Sequence, residues 1–304
     1  MRAAVLSLAL AAAPAVVSAA GSLGFALGDK KADGTCKYTS DYEADFDAIK
    51  SNSGATIVRG YAASDCNTAQ QILPAAKAKG FKVILGVWPD TEDSLNADKE
   101  ALATYVPDYQ DQVYAVTVGS ETLYRGNFTG PELLEKINDV KSILPDGIKV
   151  GTADSWNKYA DGTADAVIKG GVDILLANGF AYWQGQAIDN ATATYFDDIQ
   201  QALGQIQSVS GSLNSIEFWT GETGWPTTGG TNYGAAIAGT SNAQTYWDDA
   251  VCGMLAWGGN VFSFEAFDEP WKPESVGEDG SASDETHWGV MTSGRTAKFS
   301  LTCS

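Results

Sequence analysis

Short apolar runs alternate along the chain with longer stretches whose apolar residues recur at helical spacing. Eight runs stand out: LGFALG (23–28), TIVRGY (56–61), KVILGVW (82–88), VYAVTVGSE (113–121), IKVGTAD (148–154), DILLANGF (173–180), IEFWTGE (216–222) and VFSFEAF (261–267). They are rich in Val, Ile and aromatic residues and end in Gly, Asn or an acid. That near-continuous hydrophobicity is what parallel strands buried on both faces require. The stretches between them are amphipathic. In SDYEADFDAIKS (40–51) a Ser/Asp start predicts an N-cap, and Tyr42, Phe46 and Ile49 share one helical face. TGPELLEKINDVKSILPDG (129–147) places Pro131 near its first turn and Leu133, Leu134, Ile137, Val140 and Leu144 along one stripe, with a stop at Pro145 and Gly147. TYFDDIQQALGQIQSV (194–209) and NAQTYWDDAVCGMLAW (242–257) follow the same pattern.

Strands that alternate with helices imply a parallel sheet with right-handed crossovers. Eight such units predict an α/β protein built as a single closed (β/α)8 TIM barrel, a fold of about 250 residues. An open doubly wound sheet is the competing fold, but no Gly-x-Gly-x-x-Gly turn follows the first strand and no P-loop is present. The opening MRAAVLSLALAAAPAVVSAA differs from the rest. Arg2, a short apolar run and small residues at Val17-Ser18-Ala19 read as a secretory signal, and Pro14 interrupts a run too short for a membrane anchor. The expected organisation is a signal peptide over 1–20 and one catalytic barrel over 21–304, secreted, monomeric and without a membrane or lipid anchor.

Acids outnumber bases 38 to 19, a formal charge of -19. That argues against a nucleic-acid partner and against adsorption to anionic lipid, and suits a neutral substrate at mildly acidic pH. Four cysteines (Cys36, Cys66, Cys252, Cys303) in an exported chain predict two disulfides, with three pairings open. There is no Cys-x-x-Cys, and His287 is the only histidine, so neither a metal site nor a cofactor is expected. A serine nucleophile is not expected either, because no Gly-x-Ser-x-Gly elbow is present. NFT (127–129) and NAT (190–192) are glycosylation acceptors.

A barrel of this kind carries its active site at the carboxyl ends of its strands. Glu121 ends the fourth run and Glu222 the seventh, across the barrel mouth from each other. A lone Glu at a strand end is more often solvated or salt-bridged. A facing pair, each framed by small and polar residues (Gly119-Ser120 and Thr220-Gly221), is what glycosidic cleavage needs. One acid must give a proton to the departing oxygen, and the other must meet the positive charge developing at the sugar carbon.

VGSETLYR (118–125), TGETGWP (220–226) and FEAFDEPWK (264–272), with VRGYAASDC (58–66) and ANGFAYWQG (177–185), together resemble glycoside hydrolase family 17, the β-1,3-glucanases, and its fungal cell-wall branch in particular. The resemblance implies a retaining enzyme that hydrolyses or transfers β-1,3-glucan in the cell wall, with Glu121 as acid/base and Glu222 as nucleophile. A non-catalytic glucan-binding wall protein is the alternative. Related barrel glycosidases usually place Asn before the strand-4 acid to bond the sugar 2-hydroxyl. Here Ser120 stands there, and its shorter reach would need a water.

The resemblance also places Arg59 beside Glu222, where a guanidinium would lower the carboxyl pKa, and Tyr182 is expected to donate its hydroxyl to the same carboxylate. Burial beside apolar rings and the charge of Glu222 would raise the pKa of Glu121, and a retaining pair would stand about 5–5.5 Å apart. Sugar rings stack on aromatic faces, for which Tyr61, Tyr182 and Trp271 are the first candidates and Trp88, Phe180, Trp183 and Trp225 the second. Polar partners are expected from Asp33, Asp65, Asn178, Glu265, Asp268, Glu269 and Lys272. Strand order then suggests that Cys36 pairs with Cys66 across adjacent loops and that Cys252 pairs with Cys303 to pin the tail.

Overall fold

Eight parallel strands close into a barrel in chain order, each hydrogen-bonded to the next and the last to the first. They are β1 (Leu23–Ala26), β2 (Ile57–Arg59), β3 (Lys82–Val87), β4 (Val113–Ser120), β5 (Lys149–Ser155), β6 (Ile174–Asn178), β7 (Glu217–Thr223) and β8 (Asn260–Ser263). This is the expected (β/α)8 fold. The structure is a computed structural model that describes residues 20–212, 214–228, 232–273, 275–276 and 282–303. The segment expected to be a signal peptide, 1–20, therefore lies outside the described residues except for Ala20. No helix among the described residues is long and apolar enough to cross a membrane.

The helices are α1 (Thr39–Ser53), α2 (Thr68–Lys79), α3 (Glu92–Tyr105), α4 (Gly130–Ser142), α5 (Trp156–Ala160), α6 (Asp165–Lys169), α7 (Ile188–Ser210), α8 (Thr240–Tyr246) and α9 (Cys252–Trp257). A wider π-type turn over Trp247–Val251 joins the last two, so the periodic stretch 242–257 is helical throughout but not uniformly wound. α1 starts one residue before the expected Ser/Asp cap. Asp41 instead reaches back to accept the Tyr38 N–H at 2.9 Å, satisfying an otherwise orphaned donor. Two short helices, α5 and α6, replace the single helix a regular unit would place between β5 and β6.

Two hydrophobic layers hold this shell. The larger lies between strands and helices, and a smaller one fills the barrel with Ile57, Ile84, Ala115, Ala153, Ile174, Leu176, Trp219 and Phe262. Trp219 stacks on Phe262 at 4.6 Å between ring centroids, and Tyr114 meets the Trp219 ring edge-on at 5.8 Å. Such bulk fits because neighbouring positions are small. A Cβ on Gly151 would lie 1.7 Å from the Ile174 carbonyl oxygen, and one on Gly24 would lie 2.5 Å from the Phe262 ring. The strand register breaks between Thr117 and Ser120 on β4, between Ala177 and Asn178 on β6, and between Thr220 and Thr223 on β7. These three breaks fall at the upper rim, where irregularities re-aim side chains; a fourth, between Val83 and Ile84 on β3, lies at the opposite end.

The disulfides pair as expected: Cys36 with Cys66 and Cys252 with Cys303. The second closes a separation of 51 residues, for which a chain-entropy estimate gives about 4 kcal/mol of stabilisation. The double variant C252S/C303S is expected to unfold about 5–8 °C lower than the parent in a thermal melt. An unchanged midpoint would mean that the tail contributes nothing to the cooperative unit.

Candidate active site

The rim of β4 is shaped by two left-handed residues. Gly119 has φ +83°, and a Cβ there would stand 2.8 Å from the Thr122 side chain. Glu121 itself has φ +58°, a conformation that costs a non-glycine residue about 1 kcal/mol or more. The surrounding turn fixes it. The Glu121 N–H donates to the Ala153 carbonyl at 3.0 Å, and the Arg125 N–H donates to the Glu121 carbonyl at 2.9 Å. The Arg125 guanidinium reaches the Ser120 carbonyl at 2.6 Å. The side chain thus turns inward, where the Asn178 amide donates to Oε1 at 3.0 Å.

Glu222 is the penultimate residue of β7 and is 8% exposed. Arg59, 1% exposed, donates through Nη1 to Glu222 Oε1 at 2.9 Å, to the Gly221 carbonyl at 2.9 Å and to Asn178 Oδ1 at 3.3 Å, and through Nη2 to Ser120 Oγ at 3.0 Å. Glycine is required at 221 because a Cβ would lie 2.6 Å from Asn178 Oδ1 and 3.2 Å from the guanidinium. The phenol that donates to Glu222 is that of Tyr61, at 2.9 Å. Asn178 therefore links the two acids, holding Glu121 through its nitrogen and sharing Arg59 with Glu222 through its oxygen.

Burial raises the Glu121 carboxyl, with help from the charge of Asp154 and against the Asn178 hydrogen bond, Arg125 and Arg59. Burial also pushes Glu222 up to about 7, outweighing Arg59, while the charge of Glu121 adds to the rise. The expected low pKa of Glu222 is thereby corrected: the guanidinium does lower it, but desolvation is larger. The two sites still differ in kind. Glu222 faces a cation and a phenol at 2.9 Å, whereas the amide of Asn178 on Glu121 is neutral. When the pair carries one negative charge, these donors hold it on Glu222.

Two lobes of a cleft meet at the pair, about 450 and 460 Å³ in volume, and Glu121, Glu222, Phe264 and Glu285 line both. The first lobe is walled by Tyr124, Trp156, Phe180, Trp183, Tyr233 and Trp288, with Asn157 and Gln184 among its polar groups. The second is lined by Tyr61, Trp88 and Trp271 and by charged residues, among them Asp29, Asp65, Glu265, Glu269 and Lys272. Lys272 Nζ lies 2.9 Å from both Glu265 oxygens and 2.9 Å from Glu269. Burial and the neighbouring Glu269 push Glu265 well above the usual carboxyl range, against Lys272. Burial alone would lower Lys272, but the two carboxylates outweigh it and raise it.

Of the residues expected at the site, Arg59, Tyr61, Asp65, Ser120, Glu121, Asn178, Glu222, Glu265, Glu269, Trp271 and Lys272 do gather here. Ser120 acts by accepting from Arg59. Four expectations fail. Asp33 is exposed in a turn, where it accepts from the Thr35 N–H at 3.0 Å and hydroxyl at 2.6 Å, and it lines neither lobe. Tyr182 is 2% exposed and packs edge-on against Trp183, Trp225 and Trp288, behind the cleft wall, so Tyr61 takes its expected place on Glu222. Trp225 is likewise buried and donates to the Ile237 carbonyl at 2.9 Å. Asp268 pairs with Lys298 at 2.6 Å. The sequence reading overlooked Asp154, Trp156 and Trp288. Asp154 carried the same signal as the two glutamates, an acid closing an apolar run. Trp288 lies beyond the last strand, where no strand end pointed to it.

Two acids so arranged on one barrel rim, both raised by burial and one of them beside a fixed cation, are the equipment of a glycoside hydrolase. Residues 24–289 match the family model described as the BtgE/BtgC glycoside hydrolase domain, and the chain belongs to that family. It is 59% identical over 298 residues to a glucan 1,3-beta-glucosidase of Arthroderma benhamiae, covering 98% of this chain and 96% of the relative. It is 49% identical to one of Saccharomyces cerevisiae, covering 94% and 93%. Among solved structures, the glycoside hydrolase family 17 β-1,3-glucanosyltransferase of Rhizomucor miehei superposes with a TM-score of 0.79 at 31% identity, over 92% of this chain and 97% of that one. The resemblance to family 17 holds at that level.

Replacing Arg59 with Gln removes the cation that lowers the pKa of Glu222. The acidic limb of the kcat/KM profile is expected to move to higher pH, and stability to fall by about 3 kcal/mol as a buried pair is broken. A pH–rate profile with an unmoved acidic limb would exclude this role. A second prediction concerns Asp198 of α7, which accepts from Gln184 Nε2 at 2.5 Å; burial pushes it up to about 7. Its folded form binds a proton more tightly than an unfolded Asp does, at about 3.9. Its contribution to stability is therefore lost as pH rises from about 4 through about 7. Asp198→Asn should melt above the parent at pH 8 and close to it at pH 4. Equal differences at both pH values would contradict this.

Proposed function

We propose that the protein is a secreted, retaining β-1,3-glucan-active enzyme that transfers or hydrolyses glucan in cell-wall remodelling. The observation that carries this reading is the pair Glu121 and Glu222, tied through Asn178 and Arg59 at the point where two cleft lobes meet. A glucan chain lying through both lobes would present one glycosidic bond to both acids. Glu222 attacks the anomeric carbon as that carbon's bond to oxygen breaks, and Glu121 gives its proton to the departing oxygen. Glu222 is then neutralised by its ester bond, so Glu121, now ionised, can take a proton from the incoming hydroxyl. That hydroxyl attacks the same carbon and releases Glu222.

Several further features support the reading. The aromatic walls of the first lobe suit the C–H faces of pyranose rings, and its amides suit their hydroxyls. The second lobe pairs its lining lysine, Lys272, with two carboxylates, which suits a neutral substrate better than an anionic one. The leader-like N-terminus and the two disulfides support export. The names of the similar glucosidases and glucanosyltransferase support the choice of β-1,3-glucan.

Incubation with reduced laminari-oligosaccharides, with products sized over time, is expected to yield chains both shorter and longer than the substrate. The first-formed anomer seen by NMR should be β. Glu222→Gln should lose turnover by several orders of magnitude while still binding the oligosaccharide. Binding without turnover in the parent enzyme would instead identify a glucan-binding protein, and a first-formed α anomer would replace retention with inversion.

A further inference from the structure

Asp154, near the end of β5, is fully buried and takes no part in the steps above. Its carboxylate accepts three backbone N–H groups: Leu123 at 2.8 Å, Tyr124 at 3.1 Å and Ser155 at 2.9 Å. The first two belong to the turn that follows Glu121. β4 and β5 resume pairing at Ser120 and Ala153, immediately before both acids, after their register has broken. The two carboxyls therefore leave neighbouring strands at the same height. The Leu123 and Tyr124 amides are donors that a buried carboxylate must have, and Asp154 is the group that fixes where they lie.

That turn must hold Glu121 at φ +58°. Within the segment, the Arg125 N–H donates to the Glu121 carbonyl, the Gly126 N–H to the Leu123 carbonyl, the Asn127 N–H to the Thr122 carbonyl and the Arg125 guanidinium to the Ser120 carbonyl. Outside it, the Arg125 side chain lies over the Trp88 ring and 3.5 Å from Asp90, past the end of β3, but the backbone of the turn is tied to the next strand by Asp154 and the Ala153 carbonyl. We propose that Asp154 is a positioning residue for the proton-transfer steps: its carboxylate, clamped on the Leu123 and Tyr124 amides, holds Glu121 in the left-handed conformation that aims it at the glycosidic oxygen.

The same carboxylate has a second consequence. Its negative charge opposes ionisation of Glu121. The charged and titratable groups facing Glu121 are Asp154 from β5, Arg125 from its own turn, Arg59 from β2 and Glu222 from β7. Asp154 in turn faces Arg125, Lys158 and Tyr159. The proposal deepens the reading of Glu121 as acid/base and rests on it.

Asp154→Asn removes the charge, preserves the volume and sets an NH2 group against an amide donor. The test compares two substrates. Laminari-oligosaccharides need a proton on the leaving oxygen. A dinitrophenyl β-glucoside does not, and with azide as acceptor its second step needs no base either. Asp154→Asn is expected to lose about 30-fold in kcat on the oligosaccharide, part of the ~10²–10⁴-fold that general acid catalysis supplies, with KM little changed. On the dinitrophenyl substrate with azide it should stay within a few-fold of the parent. Its alkaline limb on the oligosaccharide should move to lower pH, because Glu121 would give up its proton more readily. Equal losses on both substrates would mark a merely structural role, and unchanged kinetics on both would mark none; either overturns the proposal. Glu121→Gln is run in parallel. If it lacks this leaving-group signature, the acid/base reading fails and takes the proposal with it. Should Asp154→Asn not fold, Asp154→Ser, which leaves room for a water at the amides, carries the same comparison.

Discussion

Taking a guanidinium out of water costs several kcal/mol unless its donors find acceptors and its charge finds a partner. Arg59 meets both conditions through groups on three other strands: Ser120 on β4, Asn178 on β6, and Gly221 and Glu222 on β7. Three of these oxygens share the two hydrogens of Nη1, while Ser120 accepts from Nη2. The rim of the barrel is therefore constrained to close around this ion, and the register breaks on β4, β6 and β7 fall beside the residues that must reach it. The Arg59 Nε atom alone stays without a partner. A planar fork with donors on two nitrogens can satisfy such a set of oxygens; an ammonium on a flexible stem cannot hold the same geometry.

The barrel was legible in the sequence because parallel strands covered on both faces must be apolar along their whole length, and eight such runs occur in order. Glu121 and Glu222 were legible as a pair: strands 4 and 7 face each other across the mouth, and the motifs around the two acids resemble one family. What the sequence did not disclose is direction. Counting residues past a strand end gives height above the barrel, not which way a side chain turns. Tyr61 and Tyr182 both follow strand ends closely. One turns in to Glu222, while the other turns back into a cluster of tryptophans. Asp33 failed for a similar reason, because its own turn offered nearer donors at Thr35. The energetic balance at Glu222 was equally out of reach. An arginine in a motif says that the carboxylate will be paired, but only the burial of the site shows that desolvation outweighs the pairing.

The two lobes differ in how they treat charge. In the second, Lys272 sits between Glu265 and Glu269, so one ammonium serves two buried carboxyls. Burial and mutual repulsion then favour keeping a proton on Glu265. With that proton in place the cluster is close to neutral, and Lys272 still lowers the pKa of Glu222. The first lobe, beyond the residues it shares, is walled mainly by rings and amides. Part of the cleft's negative charge is thus offset locally, by Lys272 at Glu265 and Glu269 and by Arg59 at Glu222. Glu121 and Glu222 respond to their immediate neighbours more than to the surface field, which solvent and salt screen.

Those neighbours also connect catalysis to stability. Glu121, Asp154, Asp198, Glu222 and Glu265 all have carboxyl pKa values raised by burial, so the folded state binds protons that the unfolded chain would have released. By linkage, each favours the fold more at mildly acidic pH than above neutrality. The double displacement proposed above would need one proton shared between Glu121 and Glu222, since a doubly ionised pair has no acid and a doubly protonated pair has no nucleophile. The same burial that makes the doubly charged pair costly for folding removes it from the catalytic population. In this barrel the desolvation that sets the strength of the acids therefore also sets the pH range in which the fold is most stable. Arg59 and Tyr61 then need only decide which of the two acids is left bare.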